Sequence, residues 1–300
     1  MSVTLQRPAR EATPRNAEEA RAYATLSVIV PVFNEKATVA EIIRRMRAVE
    51  IPLGLDIVIV DDASTDGTDQ VLDALADSTV RVLRHPTNRG KGAAVRTGLA
   101  AATGDLVLIQ DADLEYDPSD WPVLLEPILT GKAKVVFGSR FAGDCQNMTR
   151  LHWFGNRFLS LATSLLYSTT VSDMNTCYKL FDCRVFDRIS IEAERFNFDP
   201  EITAKVLRHG YVIHEVPVSY IGRGVPEGKK ITWRDGGSML VTLVRYRLLS
   251  PERWAPRGTQ PLQLSDPMFA ENVGGAPPLA GTIEVPGVPE SSRSAEVMTG

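Results

Sequence analysis

The sequence predicts an α/β fold in which helices cover both faces of a mostly parallel β-sheet. Short runs of Val, Ile and Leu recur along the chain, and segments with helical periodicity separate them. The runs are apolar almost throughout, which is typical of strands buried on both faces of a parallel sheet. With 300 residues, 44% of them apolar, the chain can enclose one large hydrophobic core.

Five strands are expected in the first half of the chain, each a run of four to six residues rich in aliphatic side chains. They cover residues 26–31, 56–60, 80–83, 105–109 and 134–137. Helices are expected between them: Ile42, Ile43 and Met46 have helical spacing, a second helix follows Gly67, and a third begins near Gly90. Sheets built in this way bind their ligands at the carboxyl ends of the strands.

The two ends of the chain differ in composition from this α/β region. Residues 1–24 are polar and contain proline, which predicts a flexible leader, and residues 251–300 are rich in Pro, Gly and Ser, which predicts a disordered tail. The folded domain is therefore expected at residues 25–250. The leader lacks the apolar segment of a secretory signal, and no run reaches the roughly 18 apolar residues of a spanning helix. Any membrane contact is expected to be peripheral or mediated by a membrane-protein partner.

Charge and cysteine content narrow the possible function classes. A formal net charge of −4 provides no basic field, so no nucleic-acid partner is expected. Cys145, Cys177 and Cys183 include no CxxC pair, which argues against a zinc site or a disulfide framework. This pattern is typical of a reducing compartment, so a cytoplasmic location is expected.

Acidic side chains follow several of the predicted strands. The sharpest motif is Asp111-Ala112-Asp113, directly after the fourth strand, where two carboxylates two residues apart point to the same side. Carboxylates without a neighbouring His or Cys suit Mg²⁺ or Mn²⁺ that bridges phosphate oxygens. A solvated turn is the alternative for so short a motif.

Two further motifs lie at neighbouring strand ends. Asp61 and Asp62 follow the second strand and could cap the next helix, but residues 64–66 already supply capping groups. The two acids are therefore expected to bind ribose hydroxyls or base edges. Gly90-Lys91-Gly92 could hold a phosphate through backbone N–H groups, and a tight start of a helix is an equally good interpretation.

Taken in chain order, these motifs resemble the family 2 glycosyltransferases, and in particular the dolichol-phosphate mannose and polyprenyl-phosphate sugar synthase group. The matching segments are residues 30–35, 60–68, 88–94, 110–115, 138–140, 172–181 and 228–236. The resemblance implies a GT-A, Rossmann-like fold. It also implies an inverting transfer of a sugar from a UDP- or GDP-linked donor to a polyprenyl or dolichyl phosphate, with Mg²⁺ or Mn²⁺ as cofactor.

The resemblance assigns roles on the donor side. Pro31, Phe33 and Glu35 would flank the base and ribose with Asp62, while Asp111 and Asp113 would hold ribose and metal. With the strand-end candidates added, the expected nucleotide-sugar site comprises Pro31, Phe33, Glu35, Asp61, Asp62, Lys91, Asp111 and Ala112. The expected metal ligands are Asp111, Asp113 and Glu115, and Asp113 is also expected to be catalytic. Phe33 and Glu115 depart from the family pattern, which often has Tyr and Gln there.

The acceptor side is expected to be cationic. A lipid monophosphate is mostly a dianion at pH 7, so it can attack the sugar without a general base, and the enzyme needs cations to position it. The candidate acceptor ligands are Arg140, Arg150, Arg157, Lys179, Arg223, Lys229 and Lys230. Arg140 and Lys230 match family positions best and are expected to be catalytic.

Two segments, residues 151–167 and 239–249, combine apolar and aromatic side chains with Arg at helical spacing. They are predicted to be amphipathic helices, the second one ending the folded domain. Contact with the cytoplasmic face of a membrane and ordinary core packing are both compatible with this pattern.

Two other functions are compatible with the same motifs. A family 2 transferase acting on a saccharide or protein hydroxyl would need a carboxylate base, for which Asp173 is the candidate. A non-catalytic GT-A scaffold is the other alternative. It is disfavoured because both strand-end acids, Asp111 and Asp113, are present.

Overall fold

The computed structural model describes residues 23–223 and 233–250. The predicted leader up to residue 22, the predicted tail at 251–300 and the candidate acceptor ligands Lys229 and Lys230 lie outside the described residues. Within the described ranges, seven strands form one sheet and two short strands form another.

Strands and helices alternate through most of the chain. The strands are β1 (Thr25–Val32), β2 (Gly54–Asp61), β3 (Val80–Arg84), β4 (Leu106–Ile109), β5 (Val135–Ser139), β6 (Cys145–Gln146), β7 (Lys179–Asp182), β8 (Ile213–Pro217) and β9 (Tyr220–Ile221). The helices are α1 (Val39–Ala48), α2 (Thr68–Leu75), α3 (Lys91–Ala101), α4 (Trp121–Leu129), α5 (Arg150–Tyr167), α6 (Phe198–Arg208) and α7 (Trp233–Leu248).

The larger sheet has the strand order β3-β2-β1-β4-β7-β5-β8. β7 runs antiparallel to its neighbours β4 and β5, and every other adjacent pair in this sheet is parallel. The prediction of a mostly parallel sheet is confirmed. All five predicted strands match β1 to β5 within two residues at each end. β7 was not predicted, because its residues were interpreted as part of a binding motif.

The chain order of the strands reverses at β1, which lies between β2 and β4. In the pairing of β1 with β4, Ile29 is opposite Ile109, so the loops that follow the two strands lie side by side. Parallel sheets open a crevice at such a reversal, and ligands bind there.

Helix α3 approaches β1 closely because the side chains between them are small. Gly92, Ala93, Ala94 and Gly98 are all buried. A Cβ on Gly98 would lie 2.4 Å from Cγ2 of Ile29, so only glycine permits this approach. Among the described helices, none is both long and apolar enough to cross a membrane.

Candidate active site

A cavity of about 650 Å³ opens where the strand order reverses. Of the predicted nucleotide-sugar residues, seven line it: Pro31, Phe33, Glu35, Asp62, Lys91, Asp111 and Ala112. Asp113, Glu115, Arg140 and Arg223 also line it. The strand ends therefore meet in one cavity, as the sheet topology requires.

Three loops around the cavity each contain a non-glycine residue in the left-handed region. These residues are Asn34 (φ 55°), Ala63 (φ 61°) and Leu114 (φ 63°). Each is adjacent to an acid that lines the cavity. Such a conformation is unfavourable for Ala and Leu, and it is found most often where function requires an unusual chain direction. The sequence motifs did not reveal this feature.

Asp61 and Asp62 already have partners within the protein. Asp61 is 2% exposed, and its carboxylate accepts a hydrogen bond from the N–H of Ser64 at 3.0 Å. The carboxylate of Asp62 accepts hydrogen bonds from the N–H groups of Arg89 and Gly90 at 2.9 and 2.6 Å, and it lies 2.6 Å from Nδ1 of His85. Both acids therefore have partners within the protein; Asp62 lines the cavity and Asp61 does not, and their contact with ribose or base stays a prediction. Asp61 shapes its own turn, and Asp62 holds the loop before α3 against β2.

The loop before α3 is a tight helix start rather than a phosphate cradle. The N–H groups of Arg89 and Gly90 point at Asp62, so they are not available to a phosphate. A Cβ on Gly92 would lie 2.5 Å from the carbonyl oxygen of Ala193, and the φ of Gly90 is +95°. Nζ of Lys91 lies 2.7 Å from Oδ1 of Asp111. The loop therefore places the ammonium of Lys91 beside Asp111, just after the end of β4.

The two carboxylates of Asp111 and Asp113 have different surroundings. Burial opposes ionisation of Asp111, but the ammonium of Lys91, a hydrogen bond with Cys177 and the charge of Lys179 together outweigh burial and lower its pKa. Burial, together with repulsion from Asp111 and Glu115, raises the pKa of Asp113 to about 7. Burial and the neighbouring acids therefore both oppose the ionised form of Asp113.

Both carboxylate oxygens of Glu115 have partners within the protein. Its Oε2 accepts a hydrogen bond from the hydroxyl of Tyr220 at 3.0 Å, and its Oε1 accepts one from the N–H of Arg223 at 2.8 Å. Within the described part of the chain, no three His, Cys, Asp or Glu side chains are arranged to hold a metal ion. The assignment of Asp111, Asp113 and Glu115 as metal ligands stays a prediction, with Glu115 already engaged by Tyr220 and Arg223.

Arg223, which the sequence placed among the acceptor ligands, contacts two carboxylates that are expected on the donor side. Its two terminal nitrogens donate to the carboxylate of Glu35 at 3.1 Å each, and Nη2 lies 3.2 Å from Oδ2 of Asp113. The guanidinium thus bridges the acids that follow β1 and β4. Arg223 thus neutralises two carboxylates that are expected to bind the donor, and its role toward an acceptor stays a prediction.

Arg140 and Asp173 form a buried bidentate ion pair. Nε and Nη2 of Arg140 donate to the two carboxylate oxygens of Asp173 at 2.7 Å each, and the N–H of Arg140 donates at 3.0 Å. Asp173 is 0% exposed and Arg140 is 6% exposed. Both oxygens of Asp173 are occupied, so this carboxylate does not face an acceptor as a general base would. The side chain of Arg140 still lines the cavity, and its guanidinium lies over the ring of Tyr220.

Among the described residues, the other predicted cations, Lys179, Arg157 and Arg150, do not line this cavity. Lys179 is 0% exposed, and its ammonium pairs with Asp199 and the carbonyl oxygen of Thr176. Its assignment as an acceptor ligand is wrong, because β7 is a central strand buried on both faces. Arg157 is exposed and lies over the ring of Phe141, in a shallow neighbouring cavity that Arg140 also lines. Arg150 is exposed at the first turn of α5.

The far wall of the cavity includes residues of the two segments predicted to be amphipathic helices, for which membrane contact and core packing were both compatible. It is formed by helices α5 and α7 and by the segment before β7. Its residues include Leu151, His152, Asn156, Phe158, Leu159, Asn175, Met239 and Leu240. The helical spacing of Leu151 and Phe158 was visible in the sequence, but only the packing shows that they lie opposite the acids. The cavity therefore has an acidic end and a largely apolar end.

The model of glycosyl transferase family 2 matches residues 27–190 of this chain. The glycosyltransferase AglJ of Haloferax volcanii is 29% identical over 224 residues, which cover 73% of this chain and 70% of that relative. The undecaprenyl-phosphate 4-deoxy-4-formamido-L-arabinose transferase of Pseudomonas aeruginosa is 30% identical over 211 residues, which cover 68% of this chain and 60% of that relative. The chain thus spans less than two thirds of the second relative.

Among solved structures, glucosyl-3-phosphoglycerate synthase from Mycobacterium tuberculosis in complex with UDP is similar, with a TM-score of 0.57 at 22% identity. The likeness covers 81% of this chain and 87% of that one. At this level of identity it shows the fold, which is GT-A-like as the sequence predicted. Because the family match includes the strand ends that meet in the cavity, the chain belongs to glycosyl transferase family 2 and is a glycosyltransferase.

Proposed function

We propose that this glycosyltransferase moves a sugar from a nucleotide diphosphate, UDP- or GDP-linked, to a polyprenyl or dolichyl phosphate with inversion at the anomeric carbon. One observation supports this proposal above the others: a single cavity joins the strand-end carboxylates to an apolar wall made by α5 and α7. A donor whose diphosphate binds a metal ion suits the acidic end of the cavity. An acceptor with a prenyl chain suits the apolar end.

On the donor side, Pro31 and Phe33 would flank the base, and Asp111 and Asp113 would hold the cation. The residues fit a hard divalent ion, because the carboxylates of Asp111 and Asp113 line the cavity two residues apart, and carboxylate oxygens are the ligands such ions prefer. Bound Mg²⁺ or Mn²⁺ would supply charge neutralisation for the departing diphosphate. A structure of the M. tuberculosis synthase in complex with Mn²⁺ and UDP supports this assignment.

On the acceptor side, a phosphate oxygen would attack the anomeric carbon while the bond to the diphosphate breaks on the opposite face. Such an acceptor needs no general base. Asp173, the base candidate for a hydroxyl acceptor, has both oxygens bonded to Arg140. The geometry therefore favours a phosphate acceptor over a hydroxyl. The name of the P. aeruginosa relative, an undecaprenyl-phosphate transferase, supports the same choice.

Four cationic side chains line the cavity and could neutralise phosphates, namely Lys91, Arg140, Arg195 and Arg223. In this proposal Arg140 orients the acceptor, and Arg223 moves from Glu35 to the donor diphosphate. Lys229 and Lys230 stay proposed acceptor ligands because they lie in the segment 228–236 that resembles the family. An acceptor with a prenyl chain resides in a bilayer, so the protein would act at the cytoplasmic face of a membrane, by peripheral contact or through a membrane-protein partner.

The test is transfer by the purified full chain to polyprenyl phosphate, with Mg²⁺ or Mn²⁺ and labelled UDP-glucose, UDP-GlcNAc, UDP-GalNAc or GDP-mannose. Label is expected in the organic phase with one donor. Asp113→Asn is expected to lower the rate by about a hundredfold or more, while the control Asp73→Asn, at an exposed carboxylate on α2, keeps it. Metal-dependent nucleotide binding without lipid label for any donor would remove the lipid-phosphate acceptor.

A further inference from the structure

Helix α5 presents an apolar stripe to solvent. The stripe consists of Leu151, Phe154, Phe158, Leu161 and Leu165, whose spacing of three and four residues places them on one face of the helix. Their exposed fractions lie between 59% and 77%. The buried residues of α5, Leu159, Ser160 and Thr163, lie on another face of the helix. Large apolar side chains exposed in one row mark an interaction surface rather than ordinary core packing.

The stripe is continuous with the cavity. Leu151 and Phe158 belong to the stripe and also line the cavity, and Met239 and Leu240 of α7 line the same end. Helix α7 packs beside α5, where the hydroxyl of Tyr167 donates to the carbonyl oxygen of Leu243 at 2.7 Å. The apolar end of the cavity therefore leads out along α5.

The charges of α5 match an anionic surface. The helix contains Arg150 and Arg157, both exposed, and it contains no Asp or Glu. Trp153, 41% exposed, lies beside the stripe. Exposed aromatic and leucine side chains flanked by arginine are the composition of helices that lie in the interface of a bilayer.

A second copy of the chain is the main alternative occupant, because a strict spacing of three and four also suits a partner helix. Two α5 helices would bring arginines together without an acidic partner on either helix. A second copy seated on the stripe would also cover Leu151 and Phe158, where the cavity opens. Lipid would leave that opening accessible to a prenyl chain.

We propose that the stripe of α5 docks on an anionic lipid bilayer, so that a prenyl phosphate enters the cavity between α5 and α7 directly from the leaflet. This inference rests on the proposed function for the identity of the acceptor. The docking itself does not require that identity, so the two can fail separately.

The test compares the wild-type full chain with the double variant Phe154→Glu, Leu161→Glu, since neither residue lines the cavity. Val212→Glu is the matched control, because Val212 is 58% exposed and precedes β8, away from α5 in the sequence. Each protein is sedimented with vesicles of phosphatidylglycerol and phosphatidylcholine. Transfer is then measured to polyprenyl phosphate in those vesicles and to a short, water-soluble prenyl phosphate without vesicles.

The double variant is expected to lose vesicle binding and transfer in vesicles by about tenfold or more, and to keep its rate with the soluble acceptor within about twofold. The control is expected to match the wild type in all three assays. The docking proposal would be overturned if the wild type did not sediment with vesicles, or if the double variant sedimented as well as the wild type. A dimeric wild type with a monomeric double variant, both still binding vesicles, would assign the stripe to self-association. If vesicle binding depends on the stripe but the wild type labels neither acceptor, the docking stands and the proposed function fails.

Discussion

Replacing Asp173 with Asn tests whether this carboxylate holds Arg140 in place or acts as a base toward an acceptor. The substitution keeps the size of the side chain and removes its charge. Asp173 is 0% exposed, and it accepts three hydrogen bonds from Arg140, two of them from the guanidinium at 2.7 Å. Asn retains one acceptor oxygen and turns an N–H₂ group toward the guanidinium.

The expected cost follows from the burial of the pair. Removing one partner of a buried ion pair leaves an uncompensated charge and costs about 3–5 kcal/mol. For a domain of this size, each kcal/mol lowers Tm by about 2–4 °C, so Tm should fall by about 6–20 °C. Arg140 also loses its orientation, so the acceptor KM is expected to rise in transfer assays performed below the new Tm.

Thermal unfolding of Asp173→Asn and of Asp73→Asn provides the comparison. Asp73 pairs with Arg84 at 2.8 Å, but the two side chains are 69% and 41% exposed. Exposed pairs contribute about 0–1 kcal/mol, so the control should change Tm by no more than about 4 °C. If Asp173→Asn keeps the wild-type Tm and abolishes transfer, the carboxylate acts in catalysis and the structural interpretation is refuted.

Three further outcomes are expected. Burial and nearby cations lower the pKa of His209 to about 4. The stability that its neutral imidazole contributes is therefore fully present above pH 6.5 and is lost as the pH drops toward 4. His209→Gln should flatten the dependence of Tm on pH in that range. Gly92→Ala should lower Tm, because its Cβ would meet a backbone carbonyl at 2.5 Å, whereas Gly155→Ala in α5 should raise it, because nothing lies within 4 Å; scanning fluorimetry measures both. Arg223→Ala should raise the donor KM more than the acceptor KM, and the reverse order in steady-state kinetics would return Arg223 to the acceptor side.

Local patterns in the sequence determined the framework. Strands β1 to β5 could be predicted because runs of β-branched residues and helical spacing are properties of neighbouring residues. The approximate place of the site followed as well, since parallel strands joined by helices end at one edge of the sheet. The order of the strand-end motifs was sufficient for the family, because each motif matches over a few consecutive residues.

The tertiary structure decided the role of each charge. Arg223 neutralises Glu35, which is 188 positions away, and Asp62 binds a loop that lies 27 and 28 positions away. Lys179 looked like a phosphate ligand and proved to be buried in a central strand. The availability of a charged group depends on its partner and its burial. In a protein, long-range packing sets both, which is why the acids and cations of this site could be predicted as a set and not one by one.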